Sequence, residues 1–111
     1  MEKTAIGFDM EENNRFKDKS EAFYNRLFTP AELTYCRLRP HPEQHFAARY
    51  CAKEATIKAL QGLGSSGISY RDIEIKKDGN LPRIILDGFC VSISLSHMKD
   101  YSAATALVTK L

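Results

Sequence analysis

Tryptophan is absent from the 111 residues, and no apolar run approaches the length of a membrane-spanning helix. The opening residues also lack the apolar core of a secretory leader, so cytoplasmic residence is the expectation, with no membrane partner. Cysteine is scarce: Cys36, Cys51 and Cys90 are an odd number without close-pair spacing, which fits neither a disulfide framework nor a zinc site. Cys51 and Cys90 read as small buried hydrophobes in a reducing compartment. Charge of one sign is lacking too. Sixteen basic and 14 acidic side chains leave a net +2, and no basic stripe carries interleaved aromatics, so a nucleic-acid partner is disfavoured. Repeats and low-complexity tracts are missing, and the length allows one domain, residues 1–111, with a core modest enough to gain from self-association.

The charge that is present is unevenly spread. Residues 1–32 carry five basic and seven acidic side chains, residues 33–61 five and two, and the remainder six and five. The basic excess surrounds Arg49-Tyr50-Cys51-Ala52-Lys53-Glu54-Ala55-Thr56-Ile57-Lys58-Ala59-Leu60, a helical stretch on alanine-rich ground. At about 100° per residue, Glu54 and Lys58 project from one side and Arg49 and Lys53 from a neighbouring one. Two like charges at i,i+4 make better sense with an anion between them, and a carboxylate nearby suits a divalent metal on a polyphosphate. A solvated charged face is the competing reading.

Thr4 to Met10 reads as a short first strand, with Ile6 and Phe8 on one face and a stop at Asp9. Residues 11–28 gather Phe16, Phe23, Leu27 and Phe28 at helical intervals, which gives one or two short helices. Thr29-Pro30-Ala31-Glu32 combines a capping threonine, a first-turn proline and a capping-box glutamate, so a helix runs from Pro30 to about Leu38. Pro40 and Pro42 end it. The central helix follows from about Glu43 to Gln61, with Phe46, Tyr50, Ile57 and Leu60 as most of one apolar stripe and Gly62 and Gly64 as its stop. The period then changes to two. Ile73 and Ile75, the turn Asp78-Gly79-Asn80 and Arg83 to Leu86 make a hairpin; Val91, Ile93 and Leu95 alternate with Ser92, Ser94 and Ser96 up to His97; and Ala103 to Thr109 is the last strand. The class is α+β.

Asp9, Glu54 with Lys58, and His97 stand where chemistry could sit, and each has an ordinary alternative. Asp9 suits a cap, Glu54 with Lys58 suits a surface ion pair worth about 0.3–0.5 kcal/mol, and His97 suits a hydrogen-bonded turn. The Gly62 to Gly67 loop lacks the lysine and following helix of a phosphate loop.

Taken together, the order and spacing of Gly7-Phe8-Asp9, Arg15, Leu27-Phe28-Thr29-Pro30-Ala31-Glu32-Leu33, Phe46-Ala47-Ala48-Arg49, Ala52-Lys53-Glu54-Ala55 with Lys58-Ala59, Ile73-Glu74-Ile75, and Ser94-Leu95-Ser96-His97 with Tyr101 and Ala103-Ala104 resemble the holo-[acyl-carrier-protein] synthases. These are the small single-domain 4′-phosphopantetheinyl transferases. The resemblance implies an antiparallel sheet packed on a long central helix, in trimers with sites between neighbouring subunits. It also implies transfer of 4′-phosphopantetheine from coenzyme A to a serine of an acidic apo acyl carrier protein, in lipid and fatty acid metabolism, with release of adenosine 3′,5′-bisphosphate. By the same resemblance Asp9 and Glu54 hold Mg²⁺ and, with Lys58, form the catalytic set. Lys58 also lies by the coenzyme's phosphates, which Arg49, His97, Ser96, the loop glycines Gly62 and Gly64 and, more weakly, Lys53 help to hold. Glu54 or a metal-bound water takes the serine proton, the water being preferred because a ligating carboxylate is a poor base. Arg15, Lys19 and Arg26, with Lys17, face the carrier, although interleaved acids also fit a mixed solvated face.

The chain departs from that pattern in places. Gly62-Leu63-Gly64 loses the usual central threonine, Glu11 and Asn13 replace apolar positions, Asp78-Gly79-Asn80-Leu81-Pro82 lacks the usual Gly-Lys before proline, and Asp87-Gly88-Phe89-Cys90 stands where a short helix is common. A non-catalytic homologue that binds coenzyme A, a nucleotide or a carrier protein on the same scaffold is therefore the alternative.

Overall fold

The computed structural model describes residues 3–111. The chain forms β1 (Thr4–Glu12), α1 (Glu21–Leu27), α2 (Pro30–Arg37), α3 (Pro42–Gly62), β2 (Ile75–Asp78), β3 (Leu81–Ile84), β4 (Phe89–His97) and β5 (Tyr101–Lys110), with 3-10 turns at Asn13–Phe16 and Tyr70–Asp72. The long strands make an antiparallel sheet in the order β1-β5-β4, and β2-β3 is a separate two-stranded hairpin. The α+β class and the sheet packed on a long helix stand as expected.

α3 lies under the sheet because its inner positions are small. Ala52, Ala55 and Ala59 are fully buried against Ala104, Ala106 and Val108 of β5. Gly7 completes the approach: a Cβ there would stand 1.8 Å from the Ala55 carbonyl oxygen, so β1 touches the helix backbone itself. A second core of rings, with Phe16, Tyr24, Phe28, Phe46 and Tyr50, fills the space between the N-terminal half of α3 and α1 and α2.

Several expectations change in detail. β1 does not stop at Asp9 but pairs with β5 through Glu12, with Asp9 opposite Ala104 inside the ladder. Ile6 and Phe8 do share a face, but it is the outer one: with Gly7 against the helix, the alternation turns Ile6, Phe8 and Met10 outward, at 72%, 54% and 59% exposure. Pro42 begins α3 rather than belonging to the turn, as its missing N–H allows at a helix start. The apolar stripe of α3 is divided, Phe46 and Tyr50 entering the ring cluster and Leu60 the sheet core. The first hairpin strand starts at Ile75, not Ile73. Cys90 is exposed, while Cys36 and Cys51 are buried.

Thr29 and Glu32 form the expected capping box at α2, and the end of α3 is built as a helix stop. Gly64, at φ +82, donates to the Gln61 carbonyl and Ser65 donates to that of Leu60.

Candidate functional site

Two clusters of polar side chains flank α3. The first lies where β1 crosses the helix. Asp9, on the inner face of β1, is 8% exposed, and its Oδ1 accepts from Lys58 Nζ at 3.2 Å. Lys58 also donates to the Phe8 carbonyl at 3.1 Å, so it reaches across to β1, and the Glu54–Lys58 surface pair is replaced by a link between strand and helix. Asp9 Oδ2 is buried and has no hydrogen-bond partner among the described residues. An orphaned carboxylate oxygen is costly unless something cationic meets it. Glu54, one helical turn before Lys58, accepts the Tyr70 hydroxyl on Oε1. Burial raises the Tyr70 phenol, and the Glu54 carboxylate raises it further, so Tyr70 stays a donor.

Glu11 follows Asp9 on the same face of β1. Burial and the neighbouring Asp9 raise its carboxyl pKa against the pull of Arg15. Crowded carboxylates with an unpartnered oxygen suit a divalent cation. Among the described residues no group of three or more His, Cys, Asp or Glu is placed to hold a metal, so a cation held here would need water or substrate oxygens to complete its shell. The thiol of Cys51 beneath is pushed up to about 12, by burial and then by Asp9 and Glu11, and is no nucleophile.

The second cluster surrounds a cavity of about 350 Å³ between α2, the start of α3, the β2-β3 hairpin and β4, lined by Tyr35, His45, Arg49, Lys77 and His97 among others. Arg49 is 5% exposed, and its guanidinium carbon lies 4.0 Å from the Tyr35 ring centroid. Its Nε is buried without a partner. Arg39 covers the same ring at 4.1 Å, and Lys77 Nζ lies at 5.4 Å. His45 meets Tyr35 at 6.0 Å and His97 at 5.3 Å between ring centroids. Burial would raise the Tyr35 phenol, but Arg39, Lys77 and Arg49 overcome it and bring the phenol down to about 8. Burial, then the neighbouring His97 and the cations Arg49, Arg39 and Lys77, push His45 down to about 4. Both shifts report one electropositive environment.

The profile of the 4′-phosphopantetheinyl transferase superfamily matches residues 5–106. The chain belongs to this superfamily. Among its curated relatives, the holo-[acyl-carrier-protein] synthase of Moorella thermoacetica is 44% identical over 75% of this chain and 73% of its own length. That of Chlamydia pneumoniae is 36% identical over 96% of this chain and 98% of its own. The crystal structure of the Bacillus anthracis synthase in complex with CoA (3′,5′-ADP) superposes with a TM-score of 0.83 at 29% identity, covering 96% of each chain.

The transferase fold thus brings Asp9, Glu54 and Lys58 to one side of α3 and Arg49 and His97 to another, rather than into one group. Lys53 is a correction. It is neither a phosphate contact nor a surface residue: fully buried, it donates to Glu32 Oε1 at 2.8 Å and to the carbonyls of Tyr70 and Ile73 at 2.7 and 2.9 Å, which uses all three of its protons. Gly62 and Gly64 do not line the cationic cavity, and Ser96 is exposed on β4 next to His97. Arg15 stands over Phe16 and Tyr50 at 5.7 and 5.2 Å, paired with Glu11, while Lys17, Lys19 and Arg26 are exposed nearby on the chain. Sequence reasoning missed Tyr35, His45, Lys77 and Tyr70. Glu11 alone carried a legible signal, an acid two residues after Asp9 on one strand face.

Proposed function

We propose that the chain transfers 4′-phosphopantetheine from coenzyme A to a serine of an apo acyl carrier protein. The observation that carries the metal side of this reading is Asp9 Oδ2, buried and unpartnered beside the cation Lys58. Asp9 and Glu54 would hold Mg²⁺ there, and the ion's chemistry is to offset charge on the pyrophosphate as the phosphoanhydride bond breaks. Lys58 supplies a second positive charge at the same edge, tethered by Asp9 and the Phe8 carbonyl. Tyr70 keeps Glu54 in one orientation by donating to it. The cationic cavity, with Arg49 and His97, would bind the nucleotide end of the coenzyme. The serine oxygen would form the new P–O bond, its proton passing to Glu54 or to a water, while the phosphoanhydride P–O bond breaks and adenosine 3′,5′-bisphosphate departs.

Arg15, with Lys17, Lys19 and Arg26 as further cations, is proposed to receive the acidic carrier, because its guanidinium is half exposed and already oriented by Glu11 and Tyr50. Assembly into trimers, which the resemblance implies, is supported by the outer sheet face. There Ile6, Phe8, Met10 and Leu107 stand exposed together, Ile6 directly opposite Leu107 in the ladder. Among the described residues no helix is long and apolar enough to cross a membrane.

The test is mass spectrometry of an apo carrier incubated with the protein, Mg²⁺ and coenzyme A. The carrier gains one phosphopantetheine, and Asp9→Asn and Glu54→Gln each slow this by about 100-fold or more, the several kcal/mol that a bound metal contributes. Near-normal turnover in either variant overturns the metal assignment. Coenzyme binding without transfer to any carrier from the same cell would favour the non-catalytic alternative.

A further inference from the structure

The cationic cavity contains a feature that binding of a coenzyme does not by itself require. Tyr35 projects from α2 among Arg39 just beyond that helix, Arg49 and His45 of α3, and Lys77 of the hairpin, with His97 of β4 behind His45. No carboxylate lines this cavity among the described residues. The acid of α2, Glu32, is turned into the core and engaged with Lys53 and the Ile75 N–H, and Glu74 of the approach to β2 is engaged with Thr29 and Lys76. Among the described residues two groups near these cations can become anions, and the Cys36 thiol is held up to about 12 by burial despite Arg49 and Arg39, which leaves the Tyr35 hydroxyl. The buried Nε of Arg49, without a partner among the described residues, marks a donor not used within them.

We propose that Tyr35 is the internal counter-ion of this cavity, and that a phosphate monoester displaces it from the cations, so that the ligand binds together with a proton. The proposal rests on reading the cavity as the site for the nucleotide end of coenzyme A, which carries a 3′-phosphate monoester. A dianion among Arg39, Arg49 and Lys77 removes the field that favours the phenolate, so Tyr35 regains its proton. His45 responds in the same sense: burial and the cations together keep its ring neutral, and a phosphate that neutralises the cations raises its proton affinity. Above about pH 8, where the phenolate is the main form, Tyr35 thereby contributes to specificity. A phosphodiester or a free hydroxyl at that position brings too little charge to displace the phenolate, whereas a monoester brings two charges above pH 7.

The sign follows from linkage. Binding raises the proton affinity of Tyr35, so affinity for the monoester is full below the free phenol's value near 8 and falls by up to about tenfold per pH unit above it. At pH 8.5 the phosphate is already fully ionised and contributes no proton of its own. Roughly 0.7 proton per coenzyme is then taken up by a phenol that titrates near 8.

Calorimetry without Mg²⁺ in Tris and in HEPES at pH 8.5, with coenzyme A and with dephospho-coenzyme A, measures this directly on the wild-type protein. Coenzyme A binds more tightly than dephospho-coenzyme A and takes up about 0.7 proton, while dephospho-coenzyme A takes up almost none. Tyr35→Phe abolishes the uptake and flattens the pH dependence above 8, so that at pH 9.5 the variant binds coenzyme A up to about 30-fold more tightly than wild type does. At pH 6, His45→Gln lowers proton uptake relative to wild type. A preference for coenzyme A without proton uptake in wild type, or uptake that persists in Tyr35→Phe, overturns the role of Tyr35 and leaves the coenzyme site standing. Equal affinity for the two coenzymes, or no binding of either, overturns both.

Discussion

Arg49 and Lys53 stand one turn apart on α3, both buried and both cationic, and their surroundings are opposite. Lys53 has a protein acceptor for each of its three protons, and its partner Glu32 is in turn satisfied by the backbone N–H groups of Thr29 and Ile75. Arg49 lies against an aromatic ring, faces a cavity and keeps an N–H unpaired. A closed network of this kind ties three elements together: Glu32 from α2, Lys53 from α3, and the stretch that leads through the Tyr70 turn into β2. An open one leaves capacity for a ligand. Burial alone thus says nothing about which cation works on substrate; the count of satisfied protons does.

The strongest way to break this comparison is Lys53→Met. If Lys53 is purely structural, the variant leaves Glu32 as an uncompensated buried charge and loses about 3–5 kcal/mol of stability, read as the shift in denaturant midpoint. Adding Glu32→Leu removes the stranded charge and recovers most of the loss. A single variant that unfolds within about 1 kcal/mol of wild type would mean that water or a solvent ion already serves Glu32, and the closed network would not exist as described.

Arg49→Gln sharpens the comparison from the other side. An open guanidinium should matter to the ligand more than to the fold, so the coenzyme KM rises by about 10- to 100-fold, the worth of about 1.5–3 kcal/mol for charge-assisted bonds. The thermal midpoint moves far less than in Lys53→Met. A variant with a collapsed midpoint and an unchanged KM would show that Arg49 belongs with Lys53 as a structural cation.

The same contrast explains what was legible in the chain beforehand. The capping box at Thr29 and Glu32, the long helix and the alternating β4 strand follow from local patterns, and all are present. The facing of β1 was not legible, because Ile6 and Phe8 are apolar and the inward positions Gly7 and Asp9 are not; only the close backbone approach at Gly7 reverses the usual inference. Lys53 was misread for a related reason. Helical spacing places it near Arg49, but the acid that neutralises it comes from α2, 21 residues earlier, and the carbonyls come from a turn 17 and 20 residues later. Tyr35 and His45 carry no sequence signal of their own, since their surroundings are assembled from α2, α3, the hairpin and β4. Asp9, Glu54 and Lys58 were legible as a group only through resemblance to the family, because nothing in their spacing shows that Lys58 turns to the strand rather than to Glu54.

Glu54 is the intermediate case, next to Lys53 in sequence, and it offers the smallest and most discriminating effect. Its carboxylate is only part buried and receives the Tyr70 hydroxyl. Tyr70 is stacked on Tyr50 at 5.5 Å, and Tyr50 in turn carries Arg15 at 5.2 Å. If Glu54 is poised for a metal as Arg49 is for a phosphate, Tyr70 acts as a positioning residue. Tyr70→Phe then raises the Mg²⁺ concentration for half-maximal transfer by about tenfold, as loss of a group that orients a metal ligand does. The fold keeps its two stacked rings and loses only about 0.5–1.5 kcal/mol for one hydrogen bond. A Mg²⁺ titration of transfer, run beside a urea melt, separates the two quantities. Unchanged Mg²⁺ dependence with the same loss of stability would move Glu54 to the closed side of the comparison, a carboxylate held for the fold, and leave Asp9 as the better-supported metal ligand.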